Sequence, residues 1–255
     1  MDDEENISEL EQKLLKYPTI RNLMQNYSSY TIEDIKTKIL GIQKRALEIY
    51  PFSYIKRFDF LTPRATLHPN YQKIIENHKD KKILDIGCGL GTDVRQFIFD
   101  GIRKDKITGL ELNKEFITLG FELFEDKTNL SNNFIIGNIL DEKIPKLHER
   151  GPFDIIFTGS VIHLLRRKQI EKFLKIVYNM LPESGIFFGR TSTLQKPAKL
   201  KKSQSHIRYL HSPDTLKSTF EKLHFKNTQI NISARFIDTL TNQSEGYVVS
   251  FTGSK

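Results

Sequence analysis

The sequence predicts an α/β fold, a mostly parallel sheet with helices on both faces, and three observations predict it. From residue 81 onward, short apolar runs of strand length alternate with amphipathic helical stretches. That alternation requires right-handed crossovers and a sheet covered on both sides. The first apolar run, KKILDIG, passes into a glycine-rich loop that leads straight into a helix. Two β-rich runs, FKNTQINISARF and GYVVSFTG, close the chain.

Residues 1–78 read as an N-terminal helical extension or cap before a main domain at 79–255. Leu10, Leu14 and Leu15 recur at helical spacing, and Ile32, Ile35, Ile39, Ile42, Ala46 and Ile49 mark one face of a second helix. Thr31 and Asp34 can begin that helix, and Pro51 ends it. The segment YPFSYIKRFDF then places five aromatics between Tyr50 and Phe60. They either line an apolar acceptor pocket or dock the N-terminal helices. Pro63 and Pro69 bracket a break before a short helix around Tyr71 to Asn77.

In the main domain TDVRQFIFDG is a helix ended by Gly101, KITGLEL a strand, and NKEFITLGFELFED a helix with Phe116, Leu119 and Leu123 on its apolar face. NNFIIGN and FDIIFTG are the third and fourth strands, RKQIEKFLKIVYNML a helix stopped by Pro182, and GIFFGRT the fifth strand. A polar loop follows. SPDTLKSTFEKL is a helix capped by Ser212 with Pro213 in its first turn.

Composition narrows the function classes. The chain has 255 residues, 38% hydrophobic and 27% charged, which excludes a disordered or fibrous protein. No run reaches the roughly 18 apolar residues of a membrane span, and the start, MDDEENISEL, has no basic region followed by an apolar stretch. A single cysteine cannot form an internal disulfide and suits a reducing compartment, so a soluble cytoplasmic protein is expected. The net charge of +8 would attract polyanions, but it is scattered. Its one dense cluster, Lys196, Lys199, Lys201 and Lys202, has no interleaved aromatics and reads as a solvated loop. Nucleic acid and membrane are therefore not expected partners, and the oligomeric state stays open.

The loop from Asp85 to Asp93 carries the chemistry. Its glycines let a ligand approach the backbone where the first strand meets its helix. The dinucleotide pattern Gly-x-Gly-x-x-Gly fails, because Thr92 follows Gly91. Asp85 stands two residues before the first glycine, where its charge would repel a pyrophosphate and favour a cation. S-adenosylmethionine, with an ammonium and a sulfonium, fits. Glu111, 24 residues after Gly87, ends the second strand, where an acid can accept both ribose hydroxyls. Asn138 ends the third strand and can offer a carbonyl and an amide to an adenine edge.

Those motifs carry a resemblance. Residues 81–190 resemble class I S-adenosylmethionine-dependent methyltransferases, with ILDIGCGLGTD, GLEL and GNIL as successive motifs. LDIGCGLGTDVRQ, GFELFED, FTGSVIHLL, IFFGR and RYLHSP are similar to the small-molecule O-methyltransferases of fungal meroterpenoid biosynthetic clusters, over roughly residues 50–222. The resemblance implies a Rossmann-like seven-stranded sheet whose last strand is antiparallel. It also implies cofactor contacts from Asp85, Gly87, Gly89, Gly91, Glu111, Leu112, Asn138 and Ile139, and Cys88, Thr92, Asp93 and Thr158 are expected to join them as cofactor-binding residues. The family usually has Asp where this chain has Asn138.

The expected activity is methyl transfer from S-adenosylmethionine to an oxygen, carboxylate or hydroxyl, of a small organic acceptor. A ribose-directed RNA methyltransferase and a non-catalytic cofactor-binding subunit are the alternatives. Thr158-Gly159-Ser160 stands where amino-group methylation of bases needs Asn/Asp-Pro-Pro-Tyr. His163, five residues after Thr158, is the candidate base, and Arg190, ending the fifth strand, the candidate partner of a substrate carboxylate. Arg208, Tyr209 and His211 are further candidates for acceptor contact. Cys88 reads as a packing residue, and no histidine pattern suggests a metal site.

Overall fold

The computed structural model describes residues 3–16, 31–76, 80–141, 144–201, 207–237 and 245–255. The expected helix end at Asn77, the boundary at 78/79 and Lys202 lie outside the described residues.

The N-terminal part begins with helix α1 (Asp3–Lys16), which buries Leu10 and Leu14 and leaves Leu15 76% exposed. Helix α2 (Ile32–Ile49) starts on a capping box, in which Asp34 N–H donates to Thr31 Oγ1 at 3.2 Å and Thr31 N–H to Asp34 Oδ2 at 3.1 Å. Its buried stripe of Ile35, Ile39, Ile42 and Ala46 packs with Ile55, Phe58, Phe60 and Leu61 of the aromatic segment. The same cluster includes Leu90 of the glycine loop and Phe116, Leu119, Leu123 and Phe124. The N-terminal helices therefore share one core with the glycine loop. A short helix α3 (Tyr71–Glu76) leads into the sheet.

The strands are β1 (Ile83–Ile86), β2 (Ile107–Glu111), β3 (Phe134–Ile136), β4 (Ile155–Gly159), β5 (Ile186–Leu194), β6 (Ala198–Lys201), β7 (Ile207–Leu210), β8 (Lys226–Ile237) and β9 (Glu245–Ser254). Seven form one sheet in the order β3-β2-β1-β4-β5-β9-β8. The first five are parallel, and β9 runs antiparallel between β5 and β8. This is the expected Rossmann-like seven-stranded arrangement.

Crossover helices α4 (Thr92–Phe99), α5 (Lys114–Phe124), α6 (Pro145–Arg150), α7 (Arg167–Met180) and α8 (Pro213–Lys222) cover the sheet. One face, with Leu84, Ile86, Ile156, Phe187 and Phe251, packs on Ile170, Phe173 and Val177 of α7 and Leu216 and Phe220 of α8. The other, with Ile83, Ile155, Phe157 and Phe188, packs on α3 and on Val94 and Phe97 of α4. Each such fully buried side chain contributes about 1.5–3 kcal/mol relative to exposure. Because the strand order reverses beside β1, the carboxyl ends of β1 and β4 form the switch-point crevice.

The polar loop expected after β5 is in part a hairpin. Strands β6 and β7 pair antiparallel, with Ala198 opposite Leu210 and Leu200 opposite Arg208. Leu200 and Leu210 are buried with Leu194, while Lys199 and Lys201 alternate outward. The two-residue side-chain period of a short strand hid its apolar face among lysines. Helix α6, capping the route from β3 to β4, is likewise additional to the expected elements.

Candidate active site

Loop 87–91 leaves β1 with Gly87, Gly89 and Gly91 at φ 73°, 57° and 78°. At Gly91 a Cβ would also come within 2.6 Å of Arg95 Nη1 and of the Phe134 ring, so both backbone and space require glycine. Gly120 of α5 matters for a different reason. A Cβ there would fall 2.0 Å from the Leu90 carbonyl oxygen, so only a bare backbone lets the helix carry the loop.

Backbone bonds shape the loop into a cradle. Gly87 and Cys88 N–H groups donate to Leu110 O at 2.8 and 3.2 Å, tying β1 to the end of β2. Gly89 N–H donates to Glu111 Oε2 at 2.9 Å and Asn113 N–H to Oε1 at 3.0 Å. Each carboxylate oxygen has further lone-pair capacity, so Glu111 can still accept from a ligand.

Asp85 is 1% exposed, and its Oδ2 has no hydrogen-bond partner among the described residues. Burial pushes its carboxyl well above the ordinary range, Asp93 and Glu111 add to this, and the Arg64 charge opposes it. Burial likewise pushes Asp93 up to about 6, against bonds from the Ala65 and Arg64 backbones and the charges of Arg64 and Arg190. Asp85, buried with an orphan oxygen, and the neighbouring half-buried Asp93 can together offer negative charge to a cation.

The other expected cofactor residues divide by what their side chains touch. Leu112 is 68% exposed beside Glu111 and Ile139 is buried. Asn138 Oδ1 accepts from Leu140 N–H at 3.0 Å, which orients the side chain at the end of β3. Thr92 Oγ1 donates to Phe60 O at 2.6 Å, and Asp93 Oδ1 accepts from Ala65 N–H at 2.7 Å. Both thus anchor the N-terminal segment. Thr158 Oγ1 donates to Ile86 O at 2.9 Å, joining β4 to β1. Cys88 Sγ packs 2.9 Å from where a Gly109 Cβ would lie, and burial raises its thiol pKa well above normal.

Two residues that precede the sheet, Tyr54 and Arg64, also reach this crevice. Tyr54 Oη lies 3.6 Å from where a Gly89 Cβ would sit, and burial and the Glu111 charge push its phenol up. Arg64 Nη1 donates to Gly159 O at 2.5 Å, with its guanidinium 5.4 Å from the Tyr54 ring centroid. The aromatic segment thus both docks the helices and faces the loop. Sequence reasoning named the segment but not Arg64, because no local pattern relates it to a carbonyl 95 residues away.

His163 sits in the turn Ile162–Leu164 just past β4, with Nδ1 3.3 Å from Thr191 Oγ1. Burial pushes it down to about 3, and the charges of Arg208 and then Arg64 act in the same direction. Arg190 stands elsewhere. The two-residue period of β5 puts Thr191 on the face of Phe187 and Arg190 on the face of Phe188. There the Arg190 charge acts on Asp93 and on His68. The structure therefore brings His163 together with Arg64 and Arg208, and directs Arg190 to the opposite face of its strand.

The hairpin supplies Arg208. Tyr209 N–H donates to Leu165 O at 2.8 Å, docking β7 on the turn after His163. Tyr209 itself lies under Arg167, 5.6 Å from its guanidinium carbon, and His211 Nδ1 is 3.1 Å from Thr215 Oγ1. Burial holds His211 down at about 4.

Residues 77–244 match the methyltransferase-domain family. The chain belongs to that family. Residues 5–61 of this methyltransferase also match a meroterpenoid methyltransferase N-terminal domain. An O-methyltransferase of a fungal species is 26% identical over 226 residues, covering 86% of this chain and 75% of the relative. An O-methyltransferase of Stereocaulon alpinum is 33% identical over 149 residues, 57% of this chain and 43% of the relative. The asnovolin E/chermesin D methyltransferase of Aspergillus novofumigatus is 29% identical over 163 residues, 63% and 59% respectively. The match thus spans from under half to three quarters of these relatives' length.

Among solved structures, an S-adenosylmethionine-dependent methyltransferase of Archaeoglobus fulgidus superposes with TM-score 0.55 at 16% identity, covering 80% of this chain and all of that one. A 1,6-didemethyltoxoflavin-N1-methyltransferase of Burkholderia thailandensis, with bound 1,6-didemethyltoxoflavin and S-adenosylhomocysteine, superposes with TM-score 0.52 at 16% identity, covering 84% of this chain and 87% of that one. At that identity they show the shared fold. Among the described residues no helix is long and apolar enough to cross a membrane, and no cluster of three acids, histidines or cysteines could hold a metal ion.

Proposed function

We propose that this methyltransferase moves a methyl group from S-adenosylmethionine to a carboxylate oxygen of a small organic acceptor. One observation carries the reading: past β4, beside the glycine cradle, a half-buried His163 within reach of Thr191 lies in the field of Arg208. Such a pocket suits an anion. Relatives named O-methyltransferases support transfer to oxygen.

The residues present fit the cofactor. The orphan oxygen of Asp85 suits an ammonium, the open lone pairs of Glu111 suit ribose hydroxyls, and Leu112, Asn138 and Ile139 suit the adenine ring. Gly87, Cys88, Gly89 and Gly91 form the floor, while Thr92, Asp93 and Thr158 hold that floor to the cap and to β4. When bound, S-adenosylmethionine supplies a methyl group on a sulfonium, which is already an activated leaving group.

What the chain adds is placement. A carboxylate is ionised at neutral pH, so the acceptor needs no base. His163, held near 3, is a poor proton acceptor there. If Thr191 donates its hydroxyl to Nδ1, the imidazole carries its proton on Nε2 and can donate it to the acceptor. Arg208 supplies the countercharge, the part first expected of Arg190. Orienting the reactants in a desolvated crevice can account for about 7–11 kcal/mol of barrier lowering.

Residues 1–78 act in this reading as a cap over a catalytic domain at 79–255. The single cysteine supports a cytoplasmic setting, and the scattered charge supports a chain that leaves nucleic acid alone. Incubation with the cofactor and a panel of small carboxylic acids and their matching alcohols, read by mass spectrometry, tests the chemistry. Mass gain confined to the acids supports it; gain confined to the alcohols contradicts it.

A further inference from the structure

We propose that Arg64 binds the α-carboxylate at the amino-acid end of the cofactor, opposite Asp85, which takes the ammonium. The assignment rests on the cofactor reading above and adds the half of the zwitterion which that reading leaves unpartnered. The ammonium and carboxylate of that end sit on one carbon. A receptor for both needs opposite charges side by side, because Asp85 alone would attract one and repel the other.

Arg64 is positioned for this. Its charge acts on Asp85, Asp93 and His163 alike, which places it between the glycine loop and the turn after β4. Nη1 is fixed on Gly159 O, and the side-chain stem crosses Gly159 so closely that a Cβ there would lie 3.2 Å from Arg64 Cδ. A guanidinium has five donors in a planar fork, so the bond to Gly159 leaves a fork edge for a carboxylate.

The cap is pinned on both sides of this arginine. Phe60 O accepts from Thr92, Ala65 N–H donates to Asp93 at 2.7 Å, and His68 Nε2 lies 3.1 Å from Phe251 O on β9. These bonds tie the segment carrying Arg64 to α4 and to the sheet. On this account the cap is part of the cofactor site as well as a cover for it.

Titration calorimetry with S-adenosylhomocysteine and with its decarboxylated counterpart, which keeps the nucleoside, thioether and amine, separates the roles. The unaltered protein should prefer the carboxylate-bearing ligand. Arg64→Gln should weaken that ligand by roughly ten- to a hundredfold, the range for hydrogen bonds to a charged group, and leave the decarboxylated ligand within about twofold. Arg64→Lys, which keeps the charge but not the fork, should retain part of the preference and serves if the Gln variant does not fold. Equal loss for both ligands, or no loss for either, overturns the assignment while leaving the cofactor reading intact. Absence of any preference in the unaltered protein overturns it too. Failure of the unaltered protein to bind either ligand overturns the cofactor reading, and this assignment falls with it.

Discussion

Arg95 and Asp126 form a buried ion pair through two parallel hydrogen bonds, Nε to Oδ2 at 2.6 Å and Nη2 to Oδ1 at 2.7 Å. The remaining nitrogen, Nη1, donates to Leu90 O at 2.8 Å and Gly91 O at 3.0 Å. Phe124 covers the guanidinium at 4.3 Å from its ring centroid. The helix that follows the glycine loop therefore reaches back to hold the loop's carbonyls, and Asp126 fixes the arm that does so.

Asp126→Asn should accordingly destabilise the protein by about 3–5 kcal/mol, because it strands a guanidinium that has no access to water. Urea unfolding at constant m-value measures it. A loss under about 1 kcal/mol would mean that the arginine finds another partner.

Cofactor affinity should rise with pH. Asp85 and Asp93 have raised pKa values, Asp93 at about 6, so the free site retains a proton to higher pH than an exposed carboxyl would. An ammonium favours the ionised form, so binding expels that proton, and affinity grows as pH rises through the range around 6. Calorimetry of S-adenosylhomocysteine binding in two buffers of different ionisation enthalpy should show proton release. Proton uptake, or affinity that falls with rising pH, contradicts this.

His163→Ala should slow turnover by a factor set by one hydrogen bond to a charged group, about 1.5–3 kcal/mol. The loss should not change between about pH 5 and pH 8, since a histidine held at about 3 stays neutral throughout. An inflection near the ordinary histidine value in the unaltered protein, abolished in the variant, would instead make His163 a general base for a hydroxyl acceptor.

Much of this architecture was legible in the sequence because the central strands and their helices are buried and periodic. β1 is buried at all four residues, and α7 repeats Ile170, Phe173, Leu174 and Val177 at helical spacing. The β6–β7 hairpin was not, because the apolar residues of β6, Ala198 and Leu200, alternate with lysines. Nor was the divergence of His163 and Arg190. In IFFGRT both faces of β5 are buried, so the sequence holds no inside–outside alternation from which to read which way Arg190 points. Glu111 and Asp85 were readable from position at strand ends. Arg64 belongs to the crevice through contacts to Gly159 that only the folded chain creates.

Nucleic acid should bind weakly. Lys199 and Lys201 point outward from a short hairpin, with no row of aromatics between them for bases to stack on. Filter binding of total RNA should give unspecific retention that disappears near about 150 mM salt. A specific submicromolar complex at that salt would favour ribose methylation.

Carboxylate methylation makes an ester, and esters alone among the candidate products release methanol in mild alkali. The protein should therefore be incubated with methyl-labelled S-adenosylmethionine and an extract of small organic metabolites, and the labelled product treated with dilute base. Label recovered as volatile methanol, and lost in Asp85→Ala, is the predicted result. Label that stays on the product through alkali, as an ether or an amine, would contradict the proposed chemistry.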